Sequence, residues 1–197
     1  HQVVIAHDNP YVDLSLEGDA PSLLNCDGWR EFGVEFFSLS KAWCMGGFRL
    51  AFATGAKQLI KGLRQVKSVV DFNQSLALQK SAIEALASCP DYPNQLLRVY
   101  RDRRDRSISA LSRLGWDVPT PSMAMYLWMP LHYWATKQGW DDERLAADLL
   151  EKTGIAITPG SGFGSGGTDW LRLALVRPAD ELETVVSRIG PWWNANS

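Results

Sequence analysis

Three short apolar runs in the first third of the chain constrain its fold more than any other feature. They occupy residues 3–6, 34–39 and 48–54, and they are rich in the β-branched and aromatic residues that favour strands. Mostly apolar runs, in contrast to alternating ones, are typical of strands covered on both faces, as in a parallel α/β sheet. Because helices do not separate all three runs, we expect them to form only part of such a sheet.

Helical and strand patterns fill the rest of the chain. Apolar residues recur at helical spacing after Gly55, and the longest such run stops at Gly115, a natural helix end. The predicted elements are helices over residues 59–70, 77–87, 96–114, 141–154 and 179–189 and strands over residues 125–131, 155–158 and 170–176. We therefore predict an α/β protein in two parts: residues 1–90 as the remainder of a larger domain, and residues 91–197 as a small domain that includes the long linking helix.

Composition and charge narrow the classes of protein to which the chain can belong. Its 197 residues are 46% hydrophobic and 21% charged, which is sufficient for a folded core. The formal net charge is −2, and acidic and basic residues are mixed along most of the chain. This mixture argues against a nucleic-acid-binding or membrane-surface protein, and no apolar stretch approaches the length of a membrane span.

The cysteines, the histidines and the first residue lead to three further expectations. The three cysteines have no metal or redox spacing, which indicates reduced thiols in a cytoplasmic protein. The three histidines have neither triad nor metal spacing, so we assign them no catalytic role and expect no metal site. The chain begins with His1, and strand-like residues follow at Val3, so we expect it to be part of a longer protein.

Two chemically suggestive residues lie where predicted strands end. Asp8 follows the first apolar run, and Lys41 follows the second. Ligands of open α/β sheets gather at the carboxyl ends of the strands. A lysine desolvated beside an apolar sheet has a nucleophilic amine, and a carboxylate can keep the ring nitrogen of a pyridoxal cofactor protonated. Spacing alone does not select this interpretation, because most lysines that follow strands lie on the surface.

Two arginines lie within apolar strand patterns, where an arginine usually requires a paired anion. Arg49 lies one residue inside the third apolar run, and Arg172 lies in the run over residues 170–176. Alternation places Arg172 on the opposite face from Leu171 and Leu173. The planar guanidinium group matches a carboxylate or a phosphate. An edge strand with a solvated face explains the pattern equally well.

A glycine-rich loop precedes the strand of Arg172. Gly162, Gly164 and Gly167 satisfy the G-x-G-x-x-G spacing of dinucleotide-binding loops. That motif requires a strand before it and a helix after it, whereas this loop leads into a strand. The sequence therefore argues against a dinucleotide site and favours a loop whose backbone passes close to a ligand or to another segment.

Three stretches of the chain together resemble the fold-type I, class I/II aminotransferases that depend on pyridoxal phosphate. They are Asp8-Asn9-Pro10-Tyr11, then Ser38-Leu39-Ser40-Lys41 with Gly47 and Arg49, and finally Pro159-Gly160, Phe163-Gly164 and Trp170-Leu171-Arg172. They are similar to the family's Asp-x-x-Tyr, Ser-x-Ser-Lys and Pro-Gly…Phe-Gly…Arg motifs, and they occur in the family's order. Within the family, the chain most resembles the prokaryotic subgroup that contains diaminopimelate-type aminotransferases.

The resemblance implies roles for three residues around the ring of pyridoxal 5'-phosphate. Lys41 would form the internal aldimine, and it would then move the proton between the substrate α-carbon and the cofactor. Asp8 would pair with the pyridine nitrogen. Tyr11 would donate a hydrogen bond to the phenolic oxygen of the ring.

Contacts to the phosphate and to the substrate are implied in the same way. Ser38 and Arg49 would hold the phosphate, with Ser40 as a further contact. Arg172 would bind the α-carboxylate of the substrate through two parallel hydrogen bonds. The implied activity is the transfer of an amino group between an amino acid and a 2-oxo acid, carried out by a homodimer.

The chain departs from the family pattern at several points. Ala51 replaces a frequent glycine, and residues 122–126 replace a segment that commonly has a glycine before its aromatic residue. The family's first phosphate-binding loop, its ring-stacking aromatic residue and its ring-binding asparagine would all precede His1. We therefore expect residues 1–197 alone to bind the cofactor weakly or not at all, and we expect the incomplete sheet to expose edges and apolar surface.

Two alternatives to an aminotransferase remain open from the sequence. A carbon–sulfur lyase on the same fold would use the same lysine and cofactor and would differ in its products. A non-catalytic effector domain of a transcription regulator would have a DNA-binding module upstream of His1.

Overall fold

The structure is a computed structural model that describes residues 3–196, so His1, one of the histidines assigned no catalytic role, lies outside it. The chain forms two compact units, residues 1–97 and residues 98–197. The boundary between the units falls inside a long helix. The division into the remainder of a larger domain and a small domain, placed between residues 90 and 91, stays a prediction.

The first unit contains a three-stranded sheet in the order β1-β2-β3. Its strands are β1, Ile5–Asp8; β2, Gly33–Ser38; and β3, Ala51–Gly55. β1 and β2 are parallel, as predicted, whereas β3 is antiparallel to β2. The residues between β2 and β3 form only a short helix and a 3-10 turn, which cannot provide the long crossover that a parallel strand requires.

The helices of the first unit are of two kinds, single turns and longer amphipathic helices. They are α1, Trp29–Phe32; α2, Leu39–Ala42; α3, Lys57–Val70; α4, Leu76–Ser88; and the beginning of α5, Tyr92–Ser112. The predicted helices over residues 59–70 and 77–87 are confirmed, and the long helix begins before its predicted start at residue 96. The single turns were not predicted, because a run of four residues is too short to show a helical period.

Apolar side chains remain exposed at the edges of this sheet and on its helices. Val3 and Val4, beside β1, are 63% and 58% exposed, and Val69 and Phe72, at the end of α3, are both 76% exposed. β1 and β3 are the two edges of the sheet. The first unit therefore has the exposed edges and apolar surface that were expected of an incomplete sheet.

The second unit contains an antiparallel sheet in the order β4-β6-β5. Its strands are β4, Tyr126–Pro130; β5, Thr158–Pro159; and β6, Trp170–Ala174. β4 and β6 lie where strands were predicted, whereas β5 has only two residues and overlaps the strand predicted over residues 155–158 at Thr158 alone. The central position of β6 shows that the interpretation of residues 170–176 as an edge strand was wrong.

The helices of the second unit follow most of the predicted boundaries. They are the rest of α5; α6, Tyr133–Lys137; α7, Asp142–Thr153; and α8, Ala179–Asn196. The start of α7 is confirmed, because the Asp141 side chain accepts a hydrogen bond of 2.7 Å from the backbone N–H of Arg144. Gly154 ends α7 with a left-handed φ of 72°. α6 was not predicted, and α8 continues beyond its predicted end at residue 189.

Aromatic packing explains why α8 continues through Pro191, which cannot donate a backbone hydrogen bond. Trp193 is 2% exposed and stacks on Trp116, with 4.6 Å between ring centroids. The rings of His132 and Trp134 also lie against Trp193, at 4.7 and 5.3 Å. Burial of these large rings stabilises the last turns of α8.

The glycine-rich loop folds into two 3-10 turns, Gly160–Phe163 and Ser165–Gly167, and then leads into β6. Gly160 and Gly167 lie so close together that a Cβ atom on either residue would collide with the carbonyl oxygen of the other. A Cβ atom on Gly160 would also crowd the Trp170 carbonyl oxygen and the Trp128 ring, so the expectation that this backbone passes close to another segment is confirmed.

A buried carboxylate holds the two ends of this loop. Asp142 is 1% exposed, and its oxygens accept hydrogen bonds from the backbone N–H groups of Ser161, at 2.8 Å, and Asp169, at 3.4 Å. Burial raises the pKa of the Asp142 carboxyl, but hydrogen bonds to its ionised form outweigh burial, so the pKa lies below its ordinary value. The ionised form of Asp142 therefore stabilises the loop.

We predict that Asp142→Asn lowers the free energy of unfolding by about 1–3 kcal/mol at neutral pH, because both hydrogen bonds lose a charged acceptor. Folding lowers the pKa of the Asp142 carboxyl, so its contribution to the stability of the fold is complete at pH values above its unfolded pKa of 3.8. The contribution is lost as the pH falls through the folded-state pKa. The difference between wild type and variant should therefore shrink in acid. Urea unfolding over a pH series measures it, with the exposed Glu151→Gln as control, and a difference that persists in acid would contradict the prediction.

Candidate active site

The ends of β1 and β2 define one edge of the first sheet. Asp8 is the last residue of β1, and it is level with Phe36 in the parallel register. Ser38 is the last residue of β2. Residues two apart on a strand point to the same face, so Asp8, Phe36 and Ser38 share one face of the sheet. This is the edge at which an α/β sheet binds its ligands.

The short helix α2 carries Lys41 at this edge. The Ser38 side chain caps α2 by accepting a hydrogen bond of 3.1 Å from the backbone N–H of Ser40. Leu39 and Ala42 are buried, at 6% and 1% exposure, and they anchor the turn. Lys41 therefore lies half-buried on a fixed turn one step beyond the strand, and it does not extend directly from the strand.

Lys41 lies next to the segment that follows β1. Its Nζ atom is 5.7 Å from the centroid of the Tyr11 ring, within the range of a cation–π interaction. α2 also packs against the 3-10 turn Val12–Leu14, whose Leu14 is fully buried. The Asp8–Tyr11 motif and the Lys41 motif are therefore neighbours in space, as their predicted roles require.

Arg49 was predicted to lie inside a strand, and this prediction was wrong. Arg49 follows the 3-10 turn Gly46–Phe48, and β3 begins only at Ala51, where the chain pairs with Ser38. Its φ of 52° is left-handed, a strained conformation for a residue other than glycine. Its Nη1 donates a hydrogen bond of 2.9 Å to the carbonyl oxygen of Gly46.

The Arg49 guanidinium group lies beside the α2 turn, since its Nη1 atom is 3.5 Å from Ser40 Oγ. The exposed guanidinium and the nearby hydroxyl groups form a set of donors suited to an anion such as a phosphate. The structure thus brings together, at one edge of one sheet, all of the site residues predicted in the first unit. These residues are Asp8, Tyr11, Ser38, Ser40, Lys41 and Arg49.

Beneath this edge lies a carboxylate that was not considered in the sequence. Glu35 of β2 is fully buried, and its oxygens accept hydrogen bonds from Asn9 Nδ2, at 2.6 Å, and Ser22 Oγ, at 2.7 Å. Burial raises the pKa of the Glu35 carboxyl, but the hydrogen bonds from Asn9, Ser22 and the Leu24 N–H, together with nearby His7, lower it below its ordinary value. The sequence did contain a signal for this residue, because Glu35 is a charged residue inside the apolar run of residues 34–39. The same kind of signal singled out Arg49 and Arg172.

Arg172 lies in the second unit, among aromatic rings. Its guanidinium carbon is 4.6 Å from the ring centroid of Tyr126 and 4.4 Å from that of Phe163. Phe163 in turn packs edge-on against Trp128, the partner of Arg172 in the β4–β6 register, at 5.7 Å. Among residues 3–196, no hydrogen-bond partner reaches the buried Nε of Arg172. The rings therefore hold the guanidinium plane without neutralising its charge, which suits binding of a carboxylate.

The part of the chain that the structure describes has neither a cluster of metal-ligating side chains nor a membrane-spanning helix. Across residues 3–196, no three His, Cys, Asp or Glu side chains are grouped in a way that could hold a metal ion. No helix in the same range combines the length and apolar character needed to cross a membrane. Cys26, Cys44 and Cys89 are free and exposed.

The family model for aminotransferase class I and II matches residues 1–189. The match includes all three motifs of the sequence, from Asp8 to Arg172. It also includes the whole of the first unit and most of the second.

Named relatives are similar along nearly the whole chain. LL-diaminopimelate aminotransferase of Dehalococcoides mccartyi strain 195 is 37% identical over 190 residues, which are 96% of this chain and 48% of that protein. The protein of the same name from Nitratidesulfovibrio vulgaris is 38% identical over 193 residues, with the same two coverages.

Two solved structures are likewise similar along nearly the whole chain. The structure of a probable N-succinyldiaminopimelate aminotransferase from Thermus thermophilus is 41% identical, has a TM-score of 0.86, and is matched over 95% of this chain and 49% of that one. Apo-BacF from Bacillus subtilis is 27% identical, with a TM-score of 0.91 and coverages of 100% and 49%.

The chain spans about half the length of the curated relatives that it matches. Over that half, its mixed α/β fold matches the fold of fold-type I aminotransferases. The chain therefore belongs to the aminotransferase class I and II family.

Proposed function

We propose that the complete protein is a pyridoxal-phosphate-dependent aminotransferase, which transfers an amino group between an amino acid and a 2-oxo acid. The observation that carries this proposal is the position of Lys41, whose Nζ lies 5.7 Å from the Tyr11 ring at the carboxyl edge of the parallel β1–β2 pair. A primary amine, a phenol, a carboxylate and a set of anion-binding donors all belong to this edge. Membership in the aminotransferase family supports the same conclusion.

The residues at this edge fit the chemical groups of pyridoxal 5'-phosphate. Arg49 and the hydroxyl groups of Ser38 and Ser40 would hold the phosphate, whose oxygens match the fork of a guanidinium. Asp8 would keep the ring nitrogen protonated, and Tyr11 would donate a hydrogen bond to the phenolic oxygen. When bound, the cofactor supplies an aldehyde for a primary amine and a ring that accepts electrons.

Lys41 is the proposed catalytic residue. Its Nζ would anchor the cofactor, and after release by the substrate amine it would carry the proton to and from the substrate α-carbon. Burial of Leu39 and Ala42 fixes the backbone of the turn, which limits the region that the Lys41 amine can reach to the surroundings of this edge. Such restriction favours proton transfer, because it keeps the base within reach of one carbon atom.

Arg172 is the proposed substrate-binding residue. Its guanidinium would bind the α-carboxylate through two parallel hydrogen bonds. The rings of Tyr126 and Phe163 hold the guanidinium plane, so less rotamer freedom is lost when the substrate binds. The charge stays available, because ring contacts do not neutralise it.

The proposal extends to the substrate and to the setting of the complete protein. Diaminopimelate-type amino acids are the first donors to test, since the most similar proteins described above carry that substrate in their names. We further propose a cytoplasmic homodimer, in which residues 1–90 belong to the large domain and residues 91–197 form the small one. Free cysteines support a reducing compartment, and exposed apolar surface on the first unit supports contact with further protein.

We predict that Lys41→Ala in the complete protein abolishes covalent retention of pyridoxal phosphate and lowers the transamination rate by about 10²–10⁴-fold or more. The physical reason is that the variant loses both the anchoring amine and the proton carrier. Retention is measured by mass spectrometry after borohydride reduction, and the rate with a panel of amino acids and 2-oxo acids. Lys57→Ala, at the exposed start of α3, is the matched control. A Lys41→Ala variant that still retains the cofactor and transaminates would refute the assignment.

We predict that Arg172→Lys lowers kcat/KM by about 10- to 100-fold, because lysine keeps the charge but cannot make two parallel hydrogen bonds to a carboxylate. Cofactor binding should be unchanged, which separates loss of substrate contacts from loss of structure. Steady-state kinetics and cofactor titration on the complete protein measure the two effects, with the exposed Arg177→Lys as control. Equal kcat/KM in Arg172→Lys and wild type would exclude Arg172 as the carboxylate-binding residue.

A further inference from the structure

Glu35 has no role in the proposed mechanism, but burial of its carboxylate costs folding free energy. This carboxylate is fully buried within β2, and a buried charge destabilises a fold unless hydrogen bonds compensate it. Four groups surround its oxygens: Asn9 Nδ2 at 2.6 Å, Ser22 Oγ at 2.7 Å, the Leu24 N–H at 3.3 Å, and His7 Nδ1 at 3.4 Å. The network therefore ties β2 to the segment after β1 and to the turn beginning at Ser22.

Asn9 is the most firmly held member of this network. Its side-chain amide donates to Glu35 Oε1 and to the carbonyl oxygen of Pro21, at 3.0 Å, so both of its amide hydrogens are used. Its backbone N–H donates to the carbonyl oxygen of Phe36 at 2.9 Å. Asn9 is only 4% exposed. Backbone and side chain are therefore both fixed at the residue that follows Asp8.

The position of Asn9 determines which way Asp8 and Tyr11 face. Successive residues of an extended chain point to opposite faces, so holding Asn9 on the Glu35 face directs Asp8 to the face of Phe36 and Ser38. The same anchor starts the turn that brings Tyr11 to the Lys41 amine, because the Val12 N–H bonds the Asn9 carbonyl oxygen. One buried carboxylate thus constrains two of the residues proposed to contact the cofactor ring.

We propose that Glu35 is a positioning residue, which acts through Asn9 to set Asp8 and Tyr11 against the cofactor ring from the opposite face of the sheet. This inference rests on the proposed function. It assigns to Glu35 no contact with cofactor or substrate. Its effect is instead on the geometry of the residues that make those contacts.

The test is Glu35→Gln in the complete protein, which keeps the size of the side chain but removes the charge that holds Asn9. We expect the dissociation constant for pyridoxal phosphate to rise about tenfold or more, and the visible circular dichroism of the bound cofactor to decrease. The dissociation constant and the visible dichroism are measured only on variant protein whose far-ultraviolet circular dichroism matches that of the folded wild type. Glu31→Gln, on the exposed end of α1, is the matched control and should leave both values unchanged.

A second variant keeps the inference testable if Glu35→Gln folds poorly. Asn9→Ala removes the link but leaves the carboxylate, and it should produce the same loss of visible dichroism. If both single variants fold, the double variant should lose no more cofactor affinity or visible dichroism than the more affected single variant. The reason is that both substitutions break the same Asn9–Glu35 hydrogen bond.

Two outcomes separate the inference from the function on which it rests. Wild-type cofactor affinity and dichroism in folded Glu35→Gln or Asn9→Ala would overturn the positioning role and leave the proposed function intact. Failure of the wild-type complete protein to bind pyridoxal phosphate would overturn both.

Discussion

The parallel pairing of β1 with β2 is the constraint on which the candidate site depends. Because Asp8 is level with Phe36, the two strands end at the same edge, and Asp8 shares a face with Ser38. A shift of this register by one residue would turn Asp8 to the opposite face and would separate Asn9 from Glu35. The backbone hydrogen bonds between β1 and β2 therefore determine which side chains lie together at this edge.

The connection between β2 and β3 places the Arg49 guanidinium group beside the Ser40 hydroxyl at this edge, where we propose that a phosphate binds. Its apolar residues fix it from below, since Leu39, Met45 and Leu50 pack with Ala82 of α4 in one buried cluster. Polar groups are left on the other side of the turn. The left-handed conformation of Arg49 is the local cost, and the hydrogen bond to Gly46 and the packing of the turn offset it.

In the second unit, aromatic rings hold the candidate site residue Arg172, whereas hydrogen bonds hold the candidate site residues of the first unit. Arg172 lies between the rings of Tyr126 and Phe163, and Trp128 supports Phe163 and stacks on Trp170 at 5.9 Å. Rings orient a guanidinium through its face and leave the hydrogens at its edge available. A carboxylate partner inside the protein would have consumed those hydrogens. The rings thus contact the Arg172 guanidinium group, while its Nε has no hydrogen-bond partner among residues 3–196.

The sequence by itself determined the order of the motifs and the long helices, and it singled out Lys41 as the proposed catalytic residue, because a residue type and a helical period are local properties. Only the tertiary structure decided that β3 runs antiparallel and that Arg49 precedes it, since strand direction depends on pairing and on the length of the connection. It likewise decided that Glu35 bonds Asn9 across 26 positions, and that Trp193 holds α8 together beyond Pro191. These outcomes depend on contacts between distant residues, and a local sequence pattern does not identify which distant residue is the partner.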